Sequence, residues 1–185
     1  MGEVPRGQAL RRDGATPGDD IWVSGVLGAA ALGLAHLKGT VALPEDARIY
    51  CLAALHQPHP RIALGLSLRG IARSAIDVSD GLLADLGHIL ERSQVGAEVN
   101  LESLPIVDDH VEKEVAQRNA LSGGDDYELC FTAPVAKRSM IEAISVRLHL
   151  PLTRIGSINT GQGCTVRGSD GSVMKIGKGG YDHFA

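Results

Sequence analysis

The residues best equipped for chemistry lie in the stretch Ala75-Ile-Asp-Val-Ser-Asp-Gly-Leu-Leu-Ala-Asp85. Ala75 to Val78 reads as a short buried strand and Leu82 onward as a helix, so Asp77 and Asp80 are carried to the junction between them. A helix start leaves backbone N–H groups without intrahelical partners, and these can face an anion. Two carboxylates beside such a start suit a Mg²⁺ that bridges phosphate oxygens. Magnesium takes one or two protein carboxylates and fills its octahedron with water and phosphate. The same residues also describe an ordinary cap, with Ser79 or Asp80 accepting from the first turn and Asp77 a solvated turn residue. Asp85, further along the helix, is expected to point to a different side of it.

A second acidic group, Ser122-Gly-Gly-Asp-Asp-Tyr-Glu128, stands directly before the strand-like run Leu129-Cys130-Phe131. Paired glycines let a backbone approach a ligand closely. The acids after them could receive a cationic or hydroxyl-bearing substrate, although Gly-Gly-Asp is also routine turn composition. His56 and His59 sit in a proline-broken loop with no third ligand, which argues against a metal site there. His88 reads as a packing or surface residue, and His183 carries no assigned chemistry. The basic residues Lys175 and Lys178 read as a solvated surface that could at most assist a phosphate.

The elements that must position these groups follow from pattern. After the turn signals Asp13-Gly14 and Pro17-Gly18, Ile21-Trp22-Val23 reads as a short buried strand with Trp22 in the core. Helices are expected over 29–37, 45–55, 62–72 and 82–92, the last with Leu82, Leu83, Leu86, Ile89 and Leu90 on one apolar face. A strand is expected over 97–101, a polar helix around 109–117 and a strong strand over 127–132. Pro134 is expected to open a helix running to about Leu148. Strands over 153–158, 164–167 and 173–176 follow, the last two joined at Ser169-Asp170-Gly171. Without a strict βαβ rhythm, and with hairpins late, this order predicts an α+β domain whose mixed β-sheet is flanked by helices.

At 185 residues there is room for one domain. With 44% hydrophobic residues but only 3% aromatic, the core must be built mainly from Leu, Ile, Val and Ala. A net charge of -4 and the lack of a basic stripe exclude nucleic acid and anionic membrane as expected partners. The apolar stretch 21–37 is broken by Ser24, Gly25, Gly28, Gly33 and His36 and is too short to span a bilayer. No secretory signal is visible. Cys51, Cys130 and Cys164 form neither a disulfide framework nor a zinc pattern, so buried thiols in the reducing cytoplasm are expected.

Together these stretches resemble the thiamine-monophosphate kinase family, of the aminoimidazole-ribonucleotide-synthetase-like superfamily. The likeness rests on Gly7-Gln-Ala-Leu-Arg-Arg12 with Pro17-Gly18-Asp19, on 75–89, on 120–131 and on the tail Gly180-Tyr-Asp-His-Phe184, in the family's order and spacing. It implies the C-terminal α+β domain of that superfamily over 21–185, with 1–20 a remnant of the inter-domain segment. The family's earlier domain, with its Gly-Asp-Asp and Gly-Gly-Asp-Thr motifs, has no counterpart here, so the chain reads as a fragment whose Met1 falls inside a family strand.

By position, Asp77 and Asp80 match magnesium ligands, Ser79 a nucleotide contact, and Arg12 an arginine that reaches the ATP phosphates. Asp125 and Tyr181 fall where the family contacts thiamine monophosphate. Asp125 replaces the usual glutamate, one methylene shorter, and Ala29 stands where an acidic or polar residue is common. The resemblance thus implies Mg²⁺-dependent phosphorylation of thiamine monophosphate by ATP, giving thiamine diphosphate. The enzyme would be cytoplasmic, homodimeric when intact, and inactive without its N-terminal domain. Two other expectations stand beside it: another ATP-using member of the superfamily, which would lack the Gly-Tyr-Asp-His-Phe tail, and a non-catalytic binding or interaction module.

Overall fold

The computed structural model describes residues 3–107, 111–169 and 171–176. The elements are β1 (Asp19–Ser24), α1 (Ala29–Leu37), α2 (Glu45–His56), α3 (Ile62–Ser67), β2 (Ser74–Val78), α4 (Leu82–Ser93) and β3 (Gly96–Asn100). After these come α5 (Lys113–Ser122), β4 (Glu128–Pro134), α6 (Arg138–Leu148), β5 (Leu152–Asn159), β6 (Gly163–Arg167) and β7 (Val173–Ile176). The strands form one seven-stranded sheet in the order β2-β4-β1-β5-β3-β6-β7. β3 and β6 are parallel and the other neighbours antiparallel, so the sheet is mixed as expected.

The two-residue period of the strands divides the core between the faces of this sheet. Ile21, Val23, Ile76, Val78, Cys130 and Ile155 meet Leu82, Leu86, Ile89 and Leu90 of α4 on one face. Trp22, Phe131 and Ala133 meet Leu64 of α3, Leu68 just after it, and Ile141 and Ile144 of α6 on the other. There the rings of Trp22 and Phe131 stack with centroids 6.4 Å apart. A third cluster joins α1 and α2 through Ala29, Leu32, Ala47 and Cys51, with Leu43 and Val107.

Several boundaries differ from the sequence pattern. β1 starts at Asp19, because buried Asp19 and Asp20 are tied into the fold by arginines. Arg138 grips Asp20 through two nitrogens, at 2.7 and 2.8 Å, and Arg73 lies 3.2 Å from Asp19. α3 ends at Ser67, before a turn in which the N–H groups of Ile71 and Ala72 donate to the Leu68 carbonyl. Pro134 closes β4, opposite Asp19, where its missing N–H is least needed, and a 3₁₀ turn over Val135–Lys137 precedes α6. α5 runs later than the expected 109–117, because Ala116, Ala120 and Leu121 supply its buried face; residues 108–110 lie outside the described residues. Cys51 and Cys130 are buried and Cys164 partly so, and burial pushes the Cys164 thiol up to about 11. Among the described residues, no helix is long and apolar enough to cross a membrane.

Candidate functional site

One edge of the sheet gathers the groups singled out above. Val78 ends β2 opposite Glu128, which begins β4, and Ser24 ends β1 opposite Leu152, which begins β5. The turn after β2, the loop before β4 and the loop after β1 therefore share that edge.

In the turn after β2, Ile76 and Val78 point into the core under α4, so alternation sends Asp77 to the opposite face, where it is exposed. Asp80 is exposed and Ser79 half-buried. Neither caps α4: the N-cap is Gly81, which makes no side-chain cap. Asp85, in the first turn of α4 and expected on another side of the helix, instead reaches back to the chain before it. Only 2% exposed, it folds back beneath the turn, and its Oδ2 accepts the N–H of Ser79 at 2.9 Å and of Asp80 at 3.0 Å. Burial pushes the Asp85 carboxyl above its ordinary range; these two N–H groups oppose the shift, while the negative charges of Asp80 and Asp77 add to it. Asp77 and Asp80, both exposed, put two carboxylates at this turn, a donor set of the kind a divalent ion takes. Among the described residues no three His, Cys, Asp or Glu groups converge to hold a metal by themselves. Asp77 and Asp80 instead offer the pair of carboxylates that a Mg²⁺ completed by phosphate and water requires.

Residues 123–127, a helix-to-strand loop, lie directly on this turn. The Asp125 N–H donates to the Ser79 carbonyl at 3.0 Å and the Tyr127 N–H to the Val78 carbonyl at 2.9 Å, main-chain bonds that lie just beyond the last β2–β4 pair and out of its register. Gly124 is packed so closely that a Cβ there would stand 2.4 Å from the Ser79 carbonyl oxygen. Asp125 and Tyr127 hold φ angles of 68° and 51°, a left-handed region costly for residues with side chains.

The side chains of this loop alternate. Asp125 and Tyr127 are exposed, whereas Asp126 and Glu128 turn inward. Asp126 accepts the N–H of Gly28 at 2.6 Å and of Ala30 at 3.3 Å, fastening the loop to the start of α1 around Ala29. Burial pushes its carboxyl up to about 7; those N–H groups oppose the shift, and Glu128 and Asp125 add to it. Glu128 is buried against Arg61 and Ser24.

Residues 16–169 match the family described as AIR synthase related protein, C-terminal domain. The chain belongs to that family. It is similar to thiamine-monophosphate kinase of Escherichia coli K12, at 46% identity over 190 residues that cover 100% of this chain and 58% of the relative. The solved thiamine-monophosphate kinase of Stenotrophomonas maltophilia K279a is 50% identical, with a TM-score of 0.83 over 91% of this chain and 55% of that one. AaThiL complexed with AMPPCP and TMP is 32% identical, with a TM-score of 0.74 over 95% of this chain and 54% of that one. The chain thus spans little more than half the length of these relatives.

Within this AIR synthase related C-terminal domain, Asp77, Ser79, Asp80 and Asp125 come together at one edge. Arg12 does not join them. Its carbonyl accepts from the Ser93 hydroxyl at 3.3 Å, at the far end of α4, whose 12 residues span about 18 Å. Tyr181 lies outside the described residues. Asp85, Asp126 and Glu128 are the residues that sequence reasoning missed. A signal existed for Asp85, because with Leu82, Leu86 and Ile89 it completes a helical stripe, and a carboxylate on an apolar stripe needs a partner.

Proposed function

We propose that this chain is the part of a thiamine-monophosphate kinase that presents the metal-binding turn and the acceptor loop. The reaction would transfer the γ-phosphoryl group of ATP to the phosphate of thiamine monophosphate. The observation that carries this reading is the pair of main-chain bonds from Asp125 and Tyr127 to Ser79 and Val78. They hold a carboxylate turn suited to phosphate-bound Mg²⁺ against an exposed acid suited to a cationic acceptor. Similarity along the whole chain to the E. coli kinase, and to AaThiL with AMPPCP and TMP, supports the choice of substrates.

The attacking group is already an anionic phosphate oxygen, so no strong general base is required. The barrier is repulsion between two polyanions, which must be neutralised and held in line. Asp77 and Asp80 would hold Mg²⁺, which when bound supplies that neutralisation. Ser79 would contact the nucleotide, and Asp85 keeps the turn's main chain in place by accepting from Ser79 and Asp80. Asp125 would attract the thiazolium charge. Tyr181 would pack on the thiamine rings, a cation–π contact contributing about 0.5–2 kcal/mol. Arg12 is assigned to the ATP phosphates on the resemblance alone; its main chain lies at the end of α4 away from the Asp77–Asp80 turn. The remaining length of the relatives is assigned the rest of the nucleotide site and the homodimer contact, with residues 1–20 leading into it. The absence of a disulfide among Cys51, Cys130 and Cys164 supports a cytoplasmic setting.

The test is ATP-dependent formation of thiamine diphosphate by the chain alone and by the chain joined to its upstream reading frame. Activity restricted to the longer protein is expected. A folded longer protein that makes no thiamine diphosphate would sink the reading. In that protein Asp80→Asn should cut turnover severely without lowering the melting temperature. Unchanged activity across a magnesium titration would remove Asp80 from the metal.

A further inference from the structure

We propose that the Arg61–Glu128 ion pair is the anchor of the acceptor loop, which makes both residues positioning residues for acceptor binding. This rests on reading Asp125 as an acceptor contact. Glu128, 5% exposed, follows Tyr127 directly. Its Oε2 accepts from Arg61 Nε at 2.8 Å, its Oε1 accepts from Arg61 Nη2, and the Ser24 hydroxyl donates to Oε2. The Ser24 oxygen in turn accepts the Leu129 N–H at 2.9 Å. A Cβ at Gly25 would stand 2.0 Å from Glu128 Oε1, so the chain after β1 leaves this carboxylate the space it occupies. One carboxylate thereby joins the segment before α3, the end of β1 and the start of β4.

A buried ion pair adds little net stability, because desolvating both charges offsets most of their attraction. What the two-pronged arginine contact does supply is a fixed plane and distance. The neighbouring loop needs such a constraint. Asp125 and Tyr127 both occupy the left-handed region, and that geometry persists only where the surroundings impose it. Upstream, Gly124 is wedged against Ser79; in the middle, Asp126 holds α1 and the Asp125 and Tyr127 amides hold the turn after β2; downstream, Glu128 is the side-chain fastening. Released there, the loop would relax toward extended backbone and carry the Asp125 carboxylate off its mark, while the Asp77–Asp80 turn stays under Asp85.

The kinetic experiment uses the longer kinase carrying Glu128→Gln, Arg61→Lys or both. Misplacing one contact predicts a rise on the order of tenfold or more in KM for thiamine monophosphate, with KM for ATP within about twofold. The double variant should be scarcely worse than either single one, since both break one interaction. Equal rises for both substrates, or no change, would overturn the anchor. Arg61→Lys keeps the charge and carries the test if Glu128→Gln does not fold. Should the wild-type enzyme not phosphorylate thiamine monophosphate, the functional reading fails, and hydrogen exchange on this chain decides the anchor separately. The Asp125 and Tyr127 amides should exchange faster in Arg61→Lys while those of α4 keep their protection. Unchanged protection at Asp125 and Tyr127, or a uniform loss throughout, would refute it.

Discussion

Asp85 and Asp126 do similar work on opposite sides of the site, each accepting two main-chain N–H groups from a loop or helix start. Asp85→Ala would leave the Ser79 and Asp80 amides without their acceptor and should cost roughly 1–3 kcal/mol in urea denaturation. Asp85→Asn should cost less, because one oxygen takes both bonds and the amide oxygen can replace it. Asp126 adds a pH dependence. Its carboxyl lies at about 7 in the fold, above the ordinary 3.8, so the fold favours the protonated form. Its contribution is therefore fully present below about pH 3.8 and is lost as pH rises through about 7. Denaturation from pH 4.5 to 8 should show stability falling more steeply for wild type than for Asp126→Asn. Asp77, Asp80 and Asp125 were legible in the sequence because acids beside glycines and a helix start stand out. Asp126 and Glu128 were not, because their partners Gly28, Ala30 and Arg61 are distant in sequence, whereas Asp85 left the trace of a carboxylate on an apolar stripe.

At the level of elements, α4 was the most legible, since the spacing of Leu82, Leu86, Ile89 and Leu90 fits one helical face and these side chains are buried in the fold. Truncating Leu86, which is fully buried, should destabilise the chain by about 2–5 kcal/mol, measured by thermal or urea unfolding. A smaller loss would mean that α4 can settle into the vacated space. The less legible elements were those shaped by tertiary partners. Local composition places a turn at Pro17-Gly18, where the structure has one, and starts the strand at Ile21, yet Arg73 and Arg138 draw Asp19 and Asp20 into β1. Proline reads as a helix opener, yet the pairing of β4 with β1 extends to Pro134. α5 is polar along most of its length, and only its contacts place its start and end.

Across the whole molecule, the α+β class and the helix-flanked mixed sheet could be read from the succession of elements, but the strand order could not. β1 comes first in the chain and lies between β4 and β5, through pairings that no local pattern encodes. The sheet order also puts the two acidic loops at the ends of neighbouring strands, stitched by main-chain hydrogen bonds just beyond the β2–β4 ladder. These main-chain bonds act as a gauge: the gap between the Asp77–Asp80 turn and the Asp125 loop is counted out in peptide units. Under the proposed function, a glycine inserted among residues 123–127 should lower apparent affinity for magnesium as well as for acceptor, although Asp77 and Asp80 lie on the other loop. In evolutionary terms, point substitutions can be accepted here one at a time, whereas any gain or loss of length must be matched across both loops at once.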